Sequence, residues 1–328
     1  MKRCLVVGAN GFLGGAVAAR LGSSGWDVRG ICGPDDRPRG YGAHRYWPGI
    51  FSSDELRLGE IDVVVYAAGS VLPRHGVSLE EVRVRDVAPF RELLTAAEST
   101  QHPLTVVLFS SAGTLYGATS ADAPATEDSP VRPVSTYGVS RHEMELLLTD
   151  SSSRAPLTSV VLRVSNAYGP GQGLRSGSSF VLRAACAALT GQALQVVDGA
   201  RPTKDFVFVD DVTEAVSCVA ETAIGTILQP TVFNICSGRS HSLGEVVEIV
   251  QRVTGRTIQT LSVAGYEGDV TDVHLSAERA AAQLGWMAQM HLEGGIARLA
   301  AWLSRHALGD DLVTLFAEGG RDGTSSPS

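Results

Sequence analysis

The segment that most constrains this chain lies within its first fifteen residues. An apolar run, Cys4-Leu5-Val6-Val7, ends in Gly8-Ala9-Asn10-Gly11-Phe12-Leu13-Gly14, and apolar residues at helical spacing follow over residues 12–21. A strand that feeds a helix through three glycines is built to hold a pyrophosphate. The unpaired N–H groups and the positive end of the helix dipole attract the anion. Gly8 and Gly11 let the backbone turn and approach phosphates, and Gly14 lets helix pack on strand. Gly8, Asn10, Gly11, Phe12, Leu13 and Gly14 are therefore expected to contact a dinucleotide.

Further short apolar runs fall at residues 28–32, 63–68, 105–110 and 159–164, with helical patterns over 79–99 and 137–149. Strands alternating with helices imply a doubly wound parallel sheet, whose buried strands read as continuous apolar runs. After Asn166 the chain becomes loop-rich. A helix is expected over 180–189, strands over 206–209 and 232–236, and a capped helix from Ser242-Leu243-Gly244-Glu245 through 253. The predicted fold is α/β, a Rossmann sheet with a smaller mixed C-terminal substrate lobe. Residues 1–165, with about 205–236, form the dinucleotide domain. Residues 166–204 and 237–310 form the lobe, and 318–328 a disordered tail.

Composition narrows the function. The 328 residues are 44% hydrophobic and 19% charged, with a net charge of −8. That gives no basic surplus for nucleic acid. The five cysteines, Cys4, Cys32, Cys186, Cys218 and Cys236, are scattered and form no CxxC, so no disulfide framework and no metal site is expected. With no stretch of about 18 apolar residues and no signal peptide, a cytoplasmic protein away from membranes is expected.

Several motifs recur in one order: the GxxGxxG loop; Asp62-Val63-Val64-Val65-Tyr66-Ala67-Ala68; Ser110-Ser111-Ala112-Gly113-Thr114-Leu115-Tyr116-Gly117; Tyr137-Gly138-Val139-Ser140-Arg141; Arg163 through Gly171; Lys204 through Asp211; and Leu284-Gly285-Trp286. Over residues 2–305 the chain resembles the extended short-chain dehydrogenase/reductase superfamily. It is most similar to the NAD-dependent nucleotide-sugar epimerase/dehydratase branch, of the UDP-glucose 4-epimerase kind. The resemblance implies an NAD or NADP cofactor, a nucleotide-sugar-like substrate and a homodimer formed through two helices, one of them over 137–149.

The cofactor pocket departs from that family. The carboxylate expected after the second strand is replaced by Cys32 or Gly33. Arg37 or Arg39 beyond it would favour a 2′-phosphate, so NAD and NADP both stay open. The aspartate expected against adenine is missing near Pro48-Gly49. The resemblance further assigns Ala67, Ala68, Gly69 and Ser110 to the cofactor.

In the family a tyrosine and a lysine four apart share one helix face. Here they are Tyr137 and Arg141, with Ser111 and Thr114 as hydroxyl donors and Ala112 at the usual Ser/Thr position. Arginine keeps the charge but not the shape of a lysine ammonium. The family's asparagine before the fourth helix is Asp86. On the substrate side the resemblance points to Asn166, Phe180 and Lys204, with Tyr266 where a ring could stack on a base. A glutamate, Glu267, precedes Gly268-Asp269 where a phosphate-binding arginine is usual.

These assignments imply a C4 epimerase. Tyr137 would take the C4 hydroxyl proton while hydride leaves for the nicotinamide and returns to the opposite face of a 4-keto sugar. Two alternatives stand beside it: an NADP-dependent ketoreductase of a biosynthetic pathway, and a catalytically weak cofactor-binding protein in which Arg141 has ended the chemistry. A dehydratase ranks below these, because Ala112-Gly113 supplies no acid/base carboxylate.

Overall fold

Side-chain alternation along the strands sets the layers of this molecule. The computed structural model describes residues 1–33, 44–45, 56–70, 77–100, 102–173, 179–223, 231–265 and 270–306. In chain order the strands are β1 (Arg3–Val7), β2 (Asp27–Cys32), β3 (His44–Arg45), β4 (Val63–Tyr66), β5 (Leu104–Ser111), β6 (Leu157–Val164), β7 (Asn166–Tyr168), β8 (Leu194–Val197), β9 (Thr203–Phe208), β10 (Thr231–Ile235), β11 (Ser240–Ser242) and β12 (Thr260–Val263). The longer helices are α1 (Phe12–Ser23), α2 (Ala88–Glu98), α3 (Thr136–Arg154), α4 (Phe180–Thr190), α5 (Val209–Ala223), α6 (Leu243–Thr254), α7 (Glu278–Leu284) and α8 (Leu292–His306).

Seven strands form one sheet in the order β3-β2-β1-β4-β5-β6-β10. All its pairings are parallel. Successive residues of a strand point to opposite faces. Cys4, Val6, Val63 and Val65 pack with Val17 and Leu21 of α1 and Val212 and Val216 of α5. Leu5, Val7, Val64 and Tyr66 pack on the other face with Phe90 and Leu93 of α2 and Met144 and Leu148 of α3. This is the doubly wound Rossmann arrangement. The strand order reverses between β1 and β4, which opens a ligand crevice at the C-terminal strand ends.

The remaining strands lie in small sheets. β9 sits between β7 and β11, and β8 pairs with β12. With α4, α6 and α8 they enclose a separate apolar cluster that includes Phe180, Leu194, Phe208, Val246 and Ile296. The capping box predicted at Ser242 is present: its hydroxyl accepts from Glu245 N, and the Glu245 carboxylate accepts from Ser242 N.

Three local expectations change. The helix expected over 79–99 is interrupted by a five-residue π turn, Arg83–Val87, between Leu79–Val82 and α2. Pro89, in the first turn of α2, has no N–H to give the preceding turn, which leaves room for the wider hydrogen-bond register. The strand expected over 206–209 is β9. It ends at Phe208 and belongs to the three-stranded sheet, and Val209 opens α5, whose first turn holds Asp210 and Asp211. The helix over 137–149 runs from Thr136 to Arg154. The tail at 318–328 lies outside the described residues.

Candidate active site

The crevice begins at the glycine loop. Gly8 has φ 91°, a left-handed conformation that favours glycine. A methyl group there would lie 2.8 Å from Ala68 N and 2.9 Å from the Ala67 carbonyl carbon. The loop after β1 and the end of β4 therefore touch backbone to backbone. A methyl at Gly14 would run into the Gly8 carbonyl, so α1 packs directly on the loop. The N–H groups of Gly8 and Ala9 both donate to the Ile31 carbonyl, at 2.8 and 3.0 Å, fixing the loop to β2. Gly11 caps α1 without a side chain, and the first turn of α1 carries no acid. Its orphan N–H groups and dipole face the crevice without a competing carboxylate. Asn10 stands at the head of this turn, Phe12 and Leu13 pack partly buried beneath it, and Cys32 is buried at the end of β2. Arg37 lies outside the described residues.

The helix bearing Tyr137 starts where it does because Ser135 caps it, its hydroxyl accepting from Gly138 N at 3.1 Å. Helical spacing then sets Arg141 under Tyr137, with Cζ 5.0 Å from the ring centroid. Arg141 is buried. Its Nη2 donates to Asp86 Oδ2 at 3.2 Å and its Nη1 to the Ala68 carbonyl at 3.4 Å. The guanidinium lies against Gly69, where no larger residue would leave it room. Burial works against its charge, but Tyr137, Asp86 and Tyr66 outweigh burial and hold its pKa above the usual arginine value. The cofactor residues predicted at the end of β4 and the catalytic pair predicted on α3 thus meet at one point.

The hydroxyl segment closes the other side. Ser111 caps the short helix Ala112–Leu115 without spending its hydroxyl on it. A methyl at Gly138 would lie 2.8 Å from the Thr114 carbonyl, which places Thr114 against the first turn of α3. A methyl at Gly113 would lie 3.8 Å from Asn166 Nδ2, which brings the Asn166 side chain to the same turn. Ser110 Oγ, Thr114 Oγ1 and Arg141 Nε are buried with no hydrogen-bond partner among the described residues. Buried polar atoms are normally paired. A dinucleotide in the glycine cradle, with a hydroxylated substrate beside Tyr137, suits this arrangement of donors and open backbone.

The expected substrate residues are more dispersed. Asn166 Nδ2 donates to the Asp205 carbonyl at 2.9 Å. Lys204 Nζ donates to the Val270 carbonyl, so this cation stands beside the start of the segment 270–306. Phe180 opens α4 buried in the lobe core, with Arg183 Cζ 5.5 Å above its ring. Tyr266 lies outside the described residues.

Two buried networks brace the crevice and were not anticipated. Asp205 accepts from Ser165 Oγ at 2.6 Å, Ser237 N at 2.9 Å, Ser237 Oγ at 2.8 Å and Arg239 N at 3.1 Å. Desolvation raises its pKa, and these donors oppose the rise. Arg163 donates Nε and Nη2 to the two oxygens of Glu145, at 3.0 and 2.7 Å, and Nη1 to Tyr116 Oη at 2.9 Å. Tyr116 in turn donates to Asn234 Oδ1 at 2.7 Å, and burial lifts its phenol to about 12. A charged residue inside an apolar strand run, as at Arg163, was the available sequence signal for such a network.

Comparison with known proteins gives the family. The model of the NAD-dependent epimerase/dehydratase family matches residues 4–236, and the chain belongs to that family. UDP-glucose 4-epimerase of Azospirillum brasilense is 29% identical over 322 residues, covering 91% of this chain and 90% of that protein. The structure of MoeE5 in complex with UDP-glucose and NAD superposes with a TM-score of 0.81 at 27% identity, covering 92% and 99% of the two chains. The NAD-dependent NDP-hexosamine 5,6-dehydratase TunA superposes with a TM-score of 0.82 at 25% identity, covering 95% and 100%. Among the described residues no helix is long and apolar enough to cross a membrane.

Proposed function

We propose that this chain is a nucleotide-sugar C4 epimerase that holds NAD at the Gly8–Gly14 loop and uses Tyr137 as its acid/base. The observation that carries the reading is the convergence on one crevice of Tyr137, a buried cation at Arg141 and the unpaired hydroxyl of Thr114 among the described residues. Bound at the cradle, the dinucleotide would supply a hydride acceptor that can return what it takes. Gly8, Gly11 and Gly14 give its pyrophosphate room and N–H donors. Arg141 holds positive charge beside the phenol, which favours proton transfer from a sugar hydroxyl to Tyr137 and back. Ser111 and Thr114 offer hydrogen bonds to the same sugar oxygen, and Asn166 lies next to them.

Two relatives support a nucleotide-sugar substrate. MoeE5 binds UDP-glucose and NAD, and the Azospirillum relative is a UDP-glucose 4-epimerase. Lys204, on β9 at the base of the lobe, supplies a cation for a nucleotide diphosphate. Replacing Tyr137 with Phe is expected to lower turnover of nucleotide sugars by at least about 100-fold while NAD affinity stays within about threefold. A Tyr137→Phe protein that epimerises at the parental rate would remove Tyr137 from the chemistry.

A further inference from the structure

The π turn before α2 carries a buried carboxylate that the proposed chemistry leaves without a role. Asp86 sits on this turn and is 3% exposed. π turns within helices re-aim side chains and concentrate at functional sites. Here the turn sends one carboxylate across to another helix and to a strand end at once. Asp86 Oδ1 accepts from Ser70 N at 2.9 Å and Ser70 Oγ at 2.8 Å. Asp86 Oδ2 accepts from Arg141 Nη2 at 3.2 Å.

We infer that Asp86 is a positioning residue of the site: it anchors the segment after β4 and fixes the Arg141 guanidinium against Tyr137 at the edge of the cofactor crevice. The inference rests on the function proposed above. Both Nη groups are held, one by Asp86 and the other by the Ala68 carbonyl and, at 3.8 Å, Met144 Sδ. Nε remains buried without a partner among the described residues. Gly69 leaves the fork room. A lysine has no planar fork to divide in this way, so arginine at 141 and aspartate at 86 work as one unit. The cation at Tyr137 is thus half of a buried ion pair, and its orientation is set from a separate helix.

In a double-mutant cycle, residues that act through each other are not additive. The variants are Asp86→Asn, Arg141→Gln and the double Asp86→Asn/Arg141→Gln, which leaves no charge unpaired and so is the best placed to fold. The readouts are NAD affinity by calorimetry and melting temperature on the full chain. Asp86→Asn is expected to weaken NAD about tenfold with Arg141 present and less than about twofold in the Arg141→Gln background. A merely structural aspartate would lower the melting temperature and leave the affinity of the folded protein unchanged, which overturns the inference. Should Asp86→Asn fail to fold, Ser70→Ala removes the other half of the anchorage without unpairing a charge, and is expected to weaken NAD about threefold in the Arg141 background alone. Equal losses in both backgrounds, or none in either, overturn the inference while the parental protein still binds NAD. A parental protein that binds no NAD overturns the proposed function and the inference together.

Discussion

Gly8→Ala tests whether the cradle is held as tightly as its geometry indicates. The φ of 91° costs an alanine about 1–2 kcal/mol. The new methyl would lie 2.8 Å from Ala68 N and 2.9 Å from Ala68 Cα. Neither backbone can withdraw freely. Ala67 N donates to the Val7 carbonyl at 2.9 Å, and Gly8 N to the Ile31 carbonyl at 2.8 Å. Breaking one such bond adds about 0.5–1.5 kcal/mol. The sum is about 1.5–3.5 kcal/mol, a large share of the roughly 5–15 kcal/mol typical of a folded domain. If the fold absorbs it, the melting temperature falls by about 2–5 °C. If the loop moves instead, the same energy appears as a loss of about 10- to 400-fold in NAD affinity. Differential scanning fluorimetry and calorimetry with NAD separate the two routes. Gly22→Ala in α1 is the control, since a methyl there meets nothing within 4 Å. A Gly8→Ala protein that melts within a degree of the parent and binds NAD as tightly would refute the packing argument.

Other perturbations probe the braces and the surface. Glu145→Gln leaves the buried Arg163 guanidinium without its bidentate carboxylate and is expected to cost about 3–5 kcal/mol by urea unfolding; a loss under about 1 kcal/mol would contradict it. For Asp205 the folded pKa is raised, so its contribution to stability is fully present below the ordinary carboxylate range and declines as pH rises through the folded value. The stability gap between parent and Asp205→Asn should therefore be widest in acid and narrow toward neutral pH, and a gap that widens with pH reverses the sign. Leu146 on α3 and Val84 on the π turn are 57% and 63% exposed, which offers an apolar face for the homodimer proposed from the family resemblance. Leu146→Glu is expected to yield monomers by sedimentation velocity where the parent sediments as a dimer. A parental monomer, or an undisturbed dimer in the variant, removes that face.

The sequence disclosed what depends on local period and turn chemistry. The glycine loop, the parallel strands and the Tyr137–Arg141 spacing are each written within a few residues, and the structure brings all three to one crevice. What stayed hidden depends on contacts between distant segments. Asp86 was visible as a departure from the family, but nothing in the 55 positions that separate it from Arg141 shows that they pair. The π turn that aims Asp86 lies just before Pro89, a local signal too weak to read against a long helical pattern. Asp205 and Arg163 lie in short apolar runs, and their partners come from α3 and the segment after β10 rather than from neighbouring sequence. Phe180, expected at the substrate, opens α4 among the buried residues of the lobe, a placement that depends on how the helix packs. The expectations at Arg37 and Tyr266 fall outside the described residues.

The central claim is internal return of hydride at C4, and one measurement reads it directly. The purified protein is incubated with NAD and UDP- or dTDP-hexoses carrying deuterium at C4, and the products are followed by NMR. The account predicts inversion at C4 with the deuterium retained in the product and no net accumulation of NADH. Products that have lost the label, net consumption of reduced cofactor, or bound NAD with no inversion of any sugar would contradict it.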